Sequence, residues 1–174
     1  SRKTYILRVK ATGTTSNQVF SIASDSQVKC FLRVSHHNST LTQEFYFRLN
    51  SNDNSSKYWD VSINQADLED SRKTELGRQK WFTVVISVDE ISPDSGISDN
   101  YMAVFDSEND GRLIVQKGLT AQNSALVPVV VFSNPNSVRL FIGYGDQTTA
   151  NPDNYFNSGV STLSNDDFSD AISI

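Results

Sequence analysis

Apolar and polar side chains alternate along most of this chain, the pattern of β-strands that bury one face. The longest alternating stretches are 5–10, 28–34, 44–49, 59–63 and 82–88, and shorter ones are 101–105, 112–115, 138–144 and a final strand at 171–174. Residues 126–132 form a continuous apolar run, which indicates a strand covered on both faces. Pro128 in that run favours an edge or a bulge, because proline has no amide hydrogen to donate.

Turn-forming residues separate these stretches. Asp110-Gly111 stands between two apolar runs and predicts a β-hairpin, and a turn is predicted over Ser35–Thr40. One short helix is predicted over Gln65–Leu76, because Asn64 suits its N-cap and Gly77 its C-cap.

These elements together predict a single all-β domain over residues 1–174. Its expected architecture is an antiparallel β-sandwich of jelly-roll or lectin-like type, with about nine or ten strands and one short helix. Glu69 precedes Lys73 by four residues, a spacing that would support the helix.

Composition and charge narrow the classes of function. Ser, Thr and Asn contribute 52 of the 174 residues, and the net charge is −5 with a pI near 4.9. An acidic chain without a Lys/Arg cluster predicts no binding to nucleic acid and none to anionic membrane surfaces. No apolar run reaches the length of about 18 residues that spans a bilayer. With no signal peptide and no initiator Met, Ser1 is interpreted as the start of a processed or excised fragment.

Classical catalytic and metal-binding patterns are scarce in the sequence. Cys30 is the single cysteine and is predicted to be a buried, inert thiol on the apolar side of its strand. His36 and His37 are the only histidines, and adjacent positions do not form a metal-binding pair. No Gly-x-Ser-x-Gly elbow and no glycine-rich phosphate loop is present. The prediction is therefore a protein that is not an enzyme and has no required cofactor.

Two acidic patterns leave alternatives open. Asp106, Glu108 and Asp110, followed by Gly111, copy the opening of a calcium loop, but Lys117 stands where the closing glutamate belongs. A plain hairpin is the favoured interpretation and a surface calcium site the alternative.

Paired carboxylates for glycoside hydrolysis would have to come from residues at strands or strand ends, namely Asp60, Glu90 and Asp106. Asn38 and Asn54 begin glycosylation sequons in predicted loops.

Aromatic side chains with polar neighbours indicate sugar recognition, because sugars present apolar C–H faces beside hydroxyl groups. The densest group follows the last long strand, and Trp81 is an aromatic on the polar side of its own strand. The predicted carbohydrate-binding residues are Arg139, Tyr144, Asp146, Asn154, Tyr155 and Trp81. The alternative is that Tyr144 and Tyr155 pack their loop against the sandwich.

The C-terminal half resembles two groups of lectin-like domains. The stretches 81–88, 102–106 and 140–143 are similar to the strand order of laminin-G and concanavalin-like sandwiches. The stretches 81–89, 101–105 and 141–149, leading to 171–174, resemble the glycan-binding head of a rotavirus outer-capsid spike. The laminin-G pattern's His after the Trp and the spike head's Glu-Thr-Pro-Arg stretch are missing here. Either resemblance implies a β-sandwich that binds glycans without chemistry.

The functional hypothesis is a non-catalytic, lectin-like attachment domain on a virion surface or a secreted protein, with cell-surface or extracellular glycans as its partners. A structural or adhesive protein-binding module is the first alternative, and it predicts a contiguous exposed apolar patch. A glycoside hydrolase-type enzyme is the second, and it requires two carboxylates about 5–9.5 Å apart in a cleft.

Overall fold

Eleven β-strands and two 3-10 helices make up the described part of the chain, which is residues 2–10, 17–24, 27–37, 40–50, 57–89, 100–122, 139–142 and 172–173. The structure is a computed structural model. The strands are Arg2–Val9 (β1), Asn17–Ser24 (β2), Gln27–His37 (β3), Thr42–Asn50 (β4), Tyr58–Ile63 (β5), Phe82–Asp89 (β6), Tyr101–Asp106 (β7), Arg112–Gly118 (β8), Thr120–Gln122 (β9), Arg139–Ile142 (β10) and Ile172–Ser173 (β11). The helices are Gln65–Asp67 (η1) and Asp70–Leu76 (η2).

The strands form two antiparallel sheets. Sheet A has the order β11-β1-β6-β7-β8, and sheet B has the order β10-β2-β3-β4-β5-β9. The predicted all-β antiparallel sandwich is confirmed, with eleven strands among the described residues instead of nine or ten.

The core lies between the inner faces of the two sheets. Phe45 of sheet B meets Phe82 of sheet A edge to face, with ring centroids 5.4 Å apart. Tyr5 and Phe20 make a second contact between the sheets, at 5.6 Å. Trp59 is fully buried on the inner face of β5, as its alternation with polar residues predicts. Cys30 is also fully buried, which confirms the predicted burial of the single thiol.

The Asp110-Gly111 hairpin is confirmed. Both residues have positive φ, 57° and 64°, as the two central residues of a type I′ turn require. The amide of Arg112 donates to the carbonyl of Asn109 at 3.2 Å and closes the turn between β7 and β8. Asp and Gly occupy these positions because both tolerate the left-handed conformation.

The predicted helical segment over Gln65–Leu76 is present, with Asn64 as its N-cap and Gly77 as its C-cap, but it is divided into two 3-10 helices. The side chain of Asn64 accepts from the amide of Ala66 at 2.8 Å. In a 3-10 helix side chains three residues apart are aligned, so Lys73 pairs with Asp70 and not with Glu69.

Two strands and one turn differ from what the sequence pattern predicts. Strand β2 has a register shift between Gln18 and Phe20, which interrupts the alternation that would have revealed it. Strand β9 has three residues and follows β8 after Leu119, so the chain passes there from sheet A to sheet B. The turn predicted over Ser35–Thr40 is wrong at its start, because β3 continues to His37. The predicted strand at 126–132 lies outside the described residues.

Candidate functional site

Trp81 lies at the end of sheet A where β6 begins. The next residue, Phe82, points into the core, so Trp81 belongs to the outer face and is half-buried there. The backbone amide of Trp81 donates to Oε1 of Glu108 at 3.0 Å. Its carbonyl accepts from the amide of Ser107 at 3.1 Å. The loop after β7 therefore fixes the backbone that carries the indole.

Two cations lie against the Trp81 ring. Cζ of Arg8 is 5.0 Å from the ring centroid, and Nζ of Lys10 is 5.5 Å from it. The register of β1 against β6 brings them there, because Val9 pairs with Phe82 and Arg8 with Thr83. Neither cation forms an ion pair within the part of the chain that the structure describes. We call these two cations, Trp81, Thr83 and Ser107 the Trp81 corner.

The Trp81 corner combines the apolar face of an indole ring with two positive charges and two hydroxyl groups. The hydroxyls of Thr83 and Ser107 are 2.8 Å apart and hydrogen-bonded to each other. An indole favours contact with the C–H face of a ring, while guanidinium and ammonium groups donate to anionic oxygens. The arrangement therefore suits a small polar ligand with one apolar face and an acidic substituent.

The other predicted sugar contacts cannot be placed around Trp81. Tyr144, Asp146, Asn154 and Tyr155 lie outside the described residues. Arg139 begins β10 and pairs with Ala23 at one edge of sheet B, whereas Trp81 stands on sheet A. The grouping of these residues into one site stays a prediction.

In the hairpin that resembles a calcium loop, the first carboxylate, that of Asp106, is already paired with a lysine. Asp106 is 1% exposed, and its Oδ2 accepts from Nζ of Lys80 at 2.7 Å. Burial raises the pKa of Asp106, but hydrogen bonds from Lys80 and the Glu108 amide, with the charges of Lys80 and Arg112, outweigh it and lower that pKa overall. Glu108 binds the Trp81 amide, and Asp110 is exposed in the turn. No group of three or more metal-ligating side chains occurs among the described residues.

Two of the three carboxylates considered for hydrolysis, Asp60 and Asp106, lie on different sheets. Asp60 lies on sheet B, where it accepts from the hydroxyl of Tyr46 at 3.0 Å and from Nε2 of Gln122 at 2.9 Å. Burial raises the pKa of Tyr46, and the neighbouring Asp60 carboxylate raises it further. Asp106 belongs to sheet A, and Glu90 lies outside the described residues.

A second charged region surrounds η2 and β8. Glu75 accepts from Arg72 at 3.1 and 2.9 Å and from Arg112 at 3.0 Å. Nζ of Lys117 binds Asp67 at 2.7 Å and the carbonyl of Ser62 at 2.7 Å. Each of these cations meets a carboxylate, with Arg72 and Arg112 sharing Glu75, and we call this region the ion-pair corner.

Sequence reasoning identified Trp81 but not Arg8 or Lys10. One signal could have found them: residues 1–24 contain four basic residues and no acidic one, in a chain of net charge −5. The alternation of β1 places Arg8 on the outer face. What the pattern does not contain is the pairing of β1 with β6, which brings this end of β1 to Trp81.

Comparison with known proteins adds no relative, because no family model and no curated protein matches the chain. The described residues include no helix that is long and apolar enough to cross a membrane.

Proposed function

We propose that this chain is a non-catalytic, lectin-like glycan-binding domain that attaches a virion or a secreted protein to cell-surface or extracellular glycans. The observation that carries the proposal is the Trp81 corner, where a half-buried indole on an outer sheet face is flanked by Arg8 and Lys10. An antiparallel sandwich provides the rigid frame on which such a surface is held.

The preferred ligand in this proposal is a glycan with a carboxylate or sulfate group. The indole contacts the C–H face of a sugar ring, and Arg8 and Lys10 donate to the acidic substituent. Charge-assisted hydrogen bonds to two cations with no carboxylate partner among the described residues favour an acidic sugar over its neutral parent. A single sugar on so open a surface should bind with an affinity of about 1 mM, or roughly 4 kcal/mol.

A glycan array probed at high protein concentration tests the proposal. The wild-type chain should bind a set of acidic glycans, and Trp81→Ala should lose that signal while keeping the folded circular-dichroism spectrum. Arg8→Gln should weaken the signal, and Lys73→Gln is its matched control, because it also removes one positive charge but from η2, where Lys73 pairs with Asp70. An array without any signal above background contradicts the proposal.

Arg139, Tyr144, Asp146, Asn154 and Tyr155 remain proposed contacts of the same domain. Tyr144→Ala on the same array separates the two sets of residues. Loss of binding with Tyr144→Ala as well as Trp81→Ala supports one extended site. Loss with Trp81→Ala alone restricts the site to the Trp81 corner.

A further inference from the structure

The Trp81 ring has chemically different neighbours on its two sides. On one side, β1 and the residue after it supply Arg8 and Lys10, whose Cζ and Nζ atoms lie 5.0 and 5.5 Å from the ring centroid. On the other side, the loop after β7 supplies Ser107 and Glu108, which both bond to the backbone of Trp81. Because β1 and β7 are the two neighbours of β6, the cations and these two residues are separated by two strand spacings, about 10 Å.

Glu108 presents a carboxylate on the β7 side of the indole. Its Oε1 accepts from the amide of Trp81 at 3.0 Å, and its own amide donates to Oδ1 of Asp106 at 3.0 Å, so both the side chain and the backbone of Glu108 are held in place. Glu108 is exposed, and no cation of the described residues pairs with it. A carboxylate can accept about four hydrogen bonds, so Glu108 keeps acceptor capacity for a ligand.

Thr83 and Ser107, which we call the hydroxyl pair, are half-buried beside the ring. Their hydroxyl oxygens are 2.8 Å apart, and either can be the donor of the bond between them. Each hydroxyl has one hydrogen and two lone pairs, so the pair can still donate through its remaining hydrogen and accept through its remaining lone pairs. Both of these bonds suit the neutral hydroxyl groups of a sugar.

These groups impose opposite preferences on the two sides of a bound sugar. Arg8 and Lys10 favour an anionic substituent on the β1 side. On the β7 side, Glu108 accepts hydrogen bonds from neutral hydroxyl groups, but it repels a sulfate or a carboxylate, because both carry charge of the same sign. A repulsive group of this kind gives specificity by disfavouring the wrong ligand.

We propose that the Trp81 corner selects sugar rings with one acidic group, which lies on the β1 side while neutral hydroxyl groups face the β7 side. Glu108 and the hydroxyl pair, Thr83 and Ser107, are the residues that determine this specificity. A ring with acidic groups at opposite edges is disfavoured, since its second acidic group meets Glu108. The inference rests on the proposed glycan binding and narrows its ligands from acidic glycans in general to those with one acidic group per bound ring.

An array of disaccharides tests the role of Glu108 if the terminal ring carries no sulfate, one sulfate or two sulfates at opposite edges. The wild type should bind the best monosulfated members at least about fivefold more tightly than their disulfated counterparts. Glu108→Gln keeps an oxygen for the Trp81 amide but removes the charge, so this preference should disappear. Glu108→Lys should reverse it. Glu69→Gln is the matched control, because it removes one negative charge from an exposed residue elsewhere and should keep the preference.

The hydroxyl pair is tested with Thr83→Val/Ser107→Ala, which removes both hydroxyl groups and leaves every charge in place. Binding of the monosulfated members should weaken by about fivefold, because hydrogen bonds to the neutral hydroxyl groups of the sugar are lost. Thr120→Val is the control, since Thr120 is an exposed threonine of sheet B, and its affinity should equal that of the wild type. Circular dichroism confirms that each variant is folded.

The outcomes separate this inference from the proposed function. If the wild type binds monosulfated and disulfated members equally, or if Glu108→Gln leaves their ratio unchanged, the role of Glu108 is overturned while glycan binding stands. If Thr83→Val/Ser107→Ala binds as tightly as the wild type, the role of the hydroxyl pair is overturned. If the wild type binds no member of the array, the proposed function fails and this inference fails with it.

Discussion

The ion-pair corner and the Trp81 corner both gather cations at the surface, but they satisfy them in different ways. Around η2 and β8, Arg72, Arg112 and Lys117 each reach a carboxylate at 2.7 to 3.0 Å, and the bonds of Arg112 and Lys117 join separate elements of the fold. At the Trp81 corner, Arg8 and Lys10 lie over an indole ring and have no ion pair within the described residues. The first set of cations connects parts of the chain, and the charges of the second set remain available to an anionic ligand.

This difference predicts which side chains stabilise the fold and which recognise a ligand. A cation paired with a buried carboxylate contributes to stability, because its loss leaves a charge without a partner. A cation over an exposed aromatic ring contributes only about 0.5–1 kcal/mol. Substitutions at the two corners should therefore separate folding from binding.

The largest effect on stability is expected for Lys80→Met, next to the ion-pair corner. Asp106 is 1% exposed, so removal of the ammonium group 2.7 Å away leaves its charge buried and unpaired. Because the side chain of Lys80 is 29% exposed, water partly screens the ion pair and reduces the loss of stability. We expect the free energy of unfolding to fall by about 2–3 kcal/mol. Urea denaturation measures it. The same substitution at Lys10 should cost less than about 1 kcal/mol, and equal costs at the two positions would contradict the distinction.

Acid should destabilise the protein through the same carboxylates. The pKa of Asp106 is lowered in the folded state, and hydrogen bonds from Arg72 lower that of Glu75 against the opposing effect of burial. A carboxyl group with a lowered pKa stabilises the fold above its unfolded value of about 4, and this stability is lost as the pH falls through the folded value.

Thermal unfolding between about pH 7 and pH 2 should thus show a falling Tm below about pH 4. Lys80→Met should reduce the contribution of Asp106. Without the ammonium group, the pKa of this carboxyl rises in the folded state, so the variant loses less stability than the wild type as the pH is lowered. A constant difference in Tm between the two proteins across this range would contradict the role of the Lys80–Asp106 pair.

A smaller effect is expected for Glu75→Gln, which weakens the bonds to Arg72 and Arg112 without changing the size of the side chain. Both arginines are substantially exposed, so the free energy of unfolding should fall by about 1 kcal/mol. Glu69→Gln is the control, since Glu69 is exposed on the same segment. Urea denaturation should show a loss for Glu75→Gln and almost none for Glu69→Gln.

The smallest effect on stability belongs to the double variant Arg8→Gln/Lys10→Gln. Removal of both cations from the indole should lower the free energy of unfolding by about 1 kcal/mol or less. Glycan binding by the same variant should fall by at least about tenfold, because the acidic substituent loses both of its donors. If the double variant loses stability to the same extent as it loses binding, Arg8 and Lys10 stabilise the fold instead of contacting the ligand.

The sequence pattern predicted the layer architecture better than the site, for a physical reason. Alternation within one strand shows which side chains face inward, as it did for Trp59 and Cys30, because burial is decided locally by the pleat. The pairing of β1 with β6 depends on contacts between distant segments, and no local pattern encodes that Lys10 will lie beside Trp81. At Gln65–Leu76, the capping residues were predicted correctly, but the division of the segment into two 3-10 helices was not.

The most direct test of the Trp81 corner is calorimetric titration with a sulfated oligosaccharide that the array selects and with its unsulfated parent. We expect the wild type to prefer the sulfated form by at least about tenfold, and the preference to weaken with added salt, which screens the charges. Arg8→Gln/Lys10→Gln should bind both forms equally weakly, while Lys73→Gln retains the preference. Equal affinity of the wild type for the two forms would contradict the assignment of Arg8 and Lys10 to an acidic ligand.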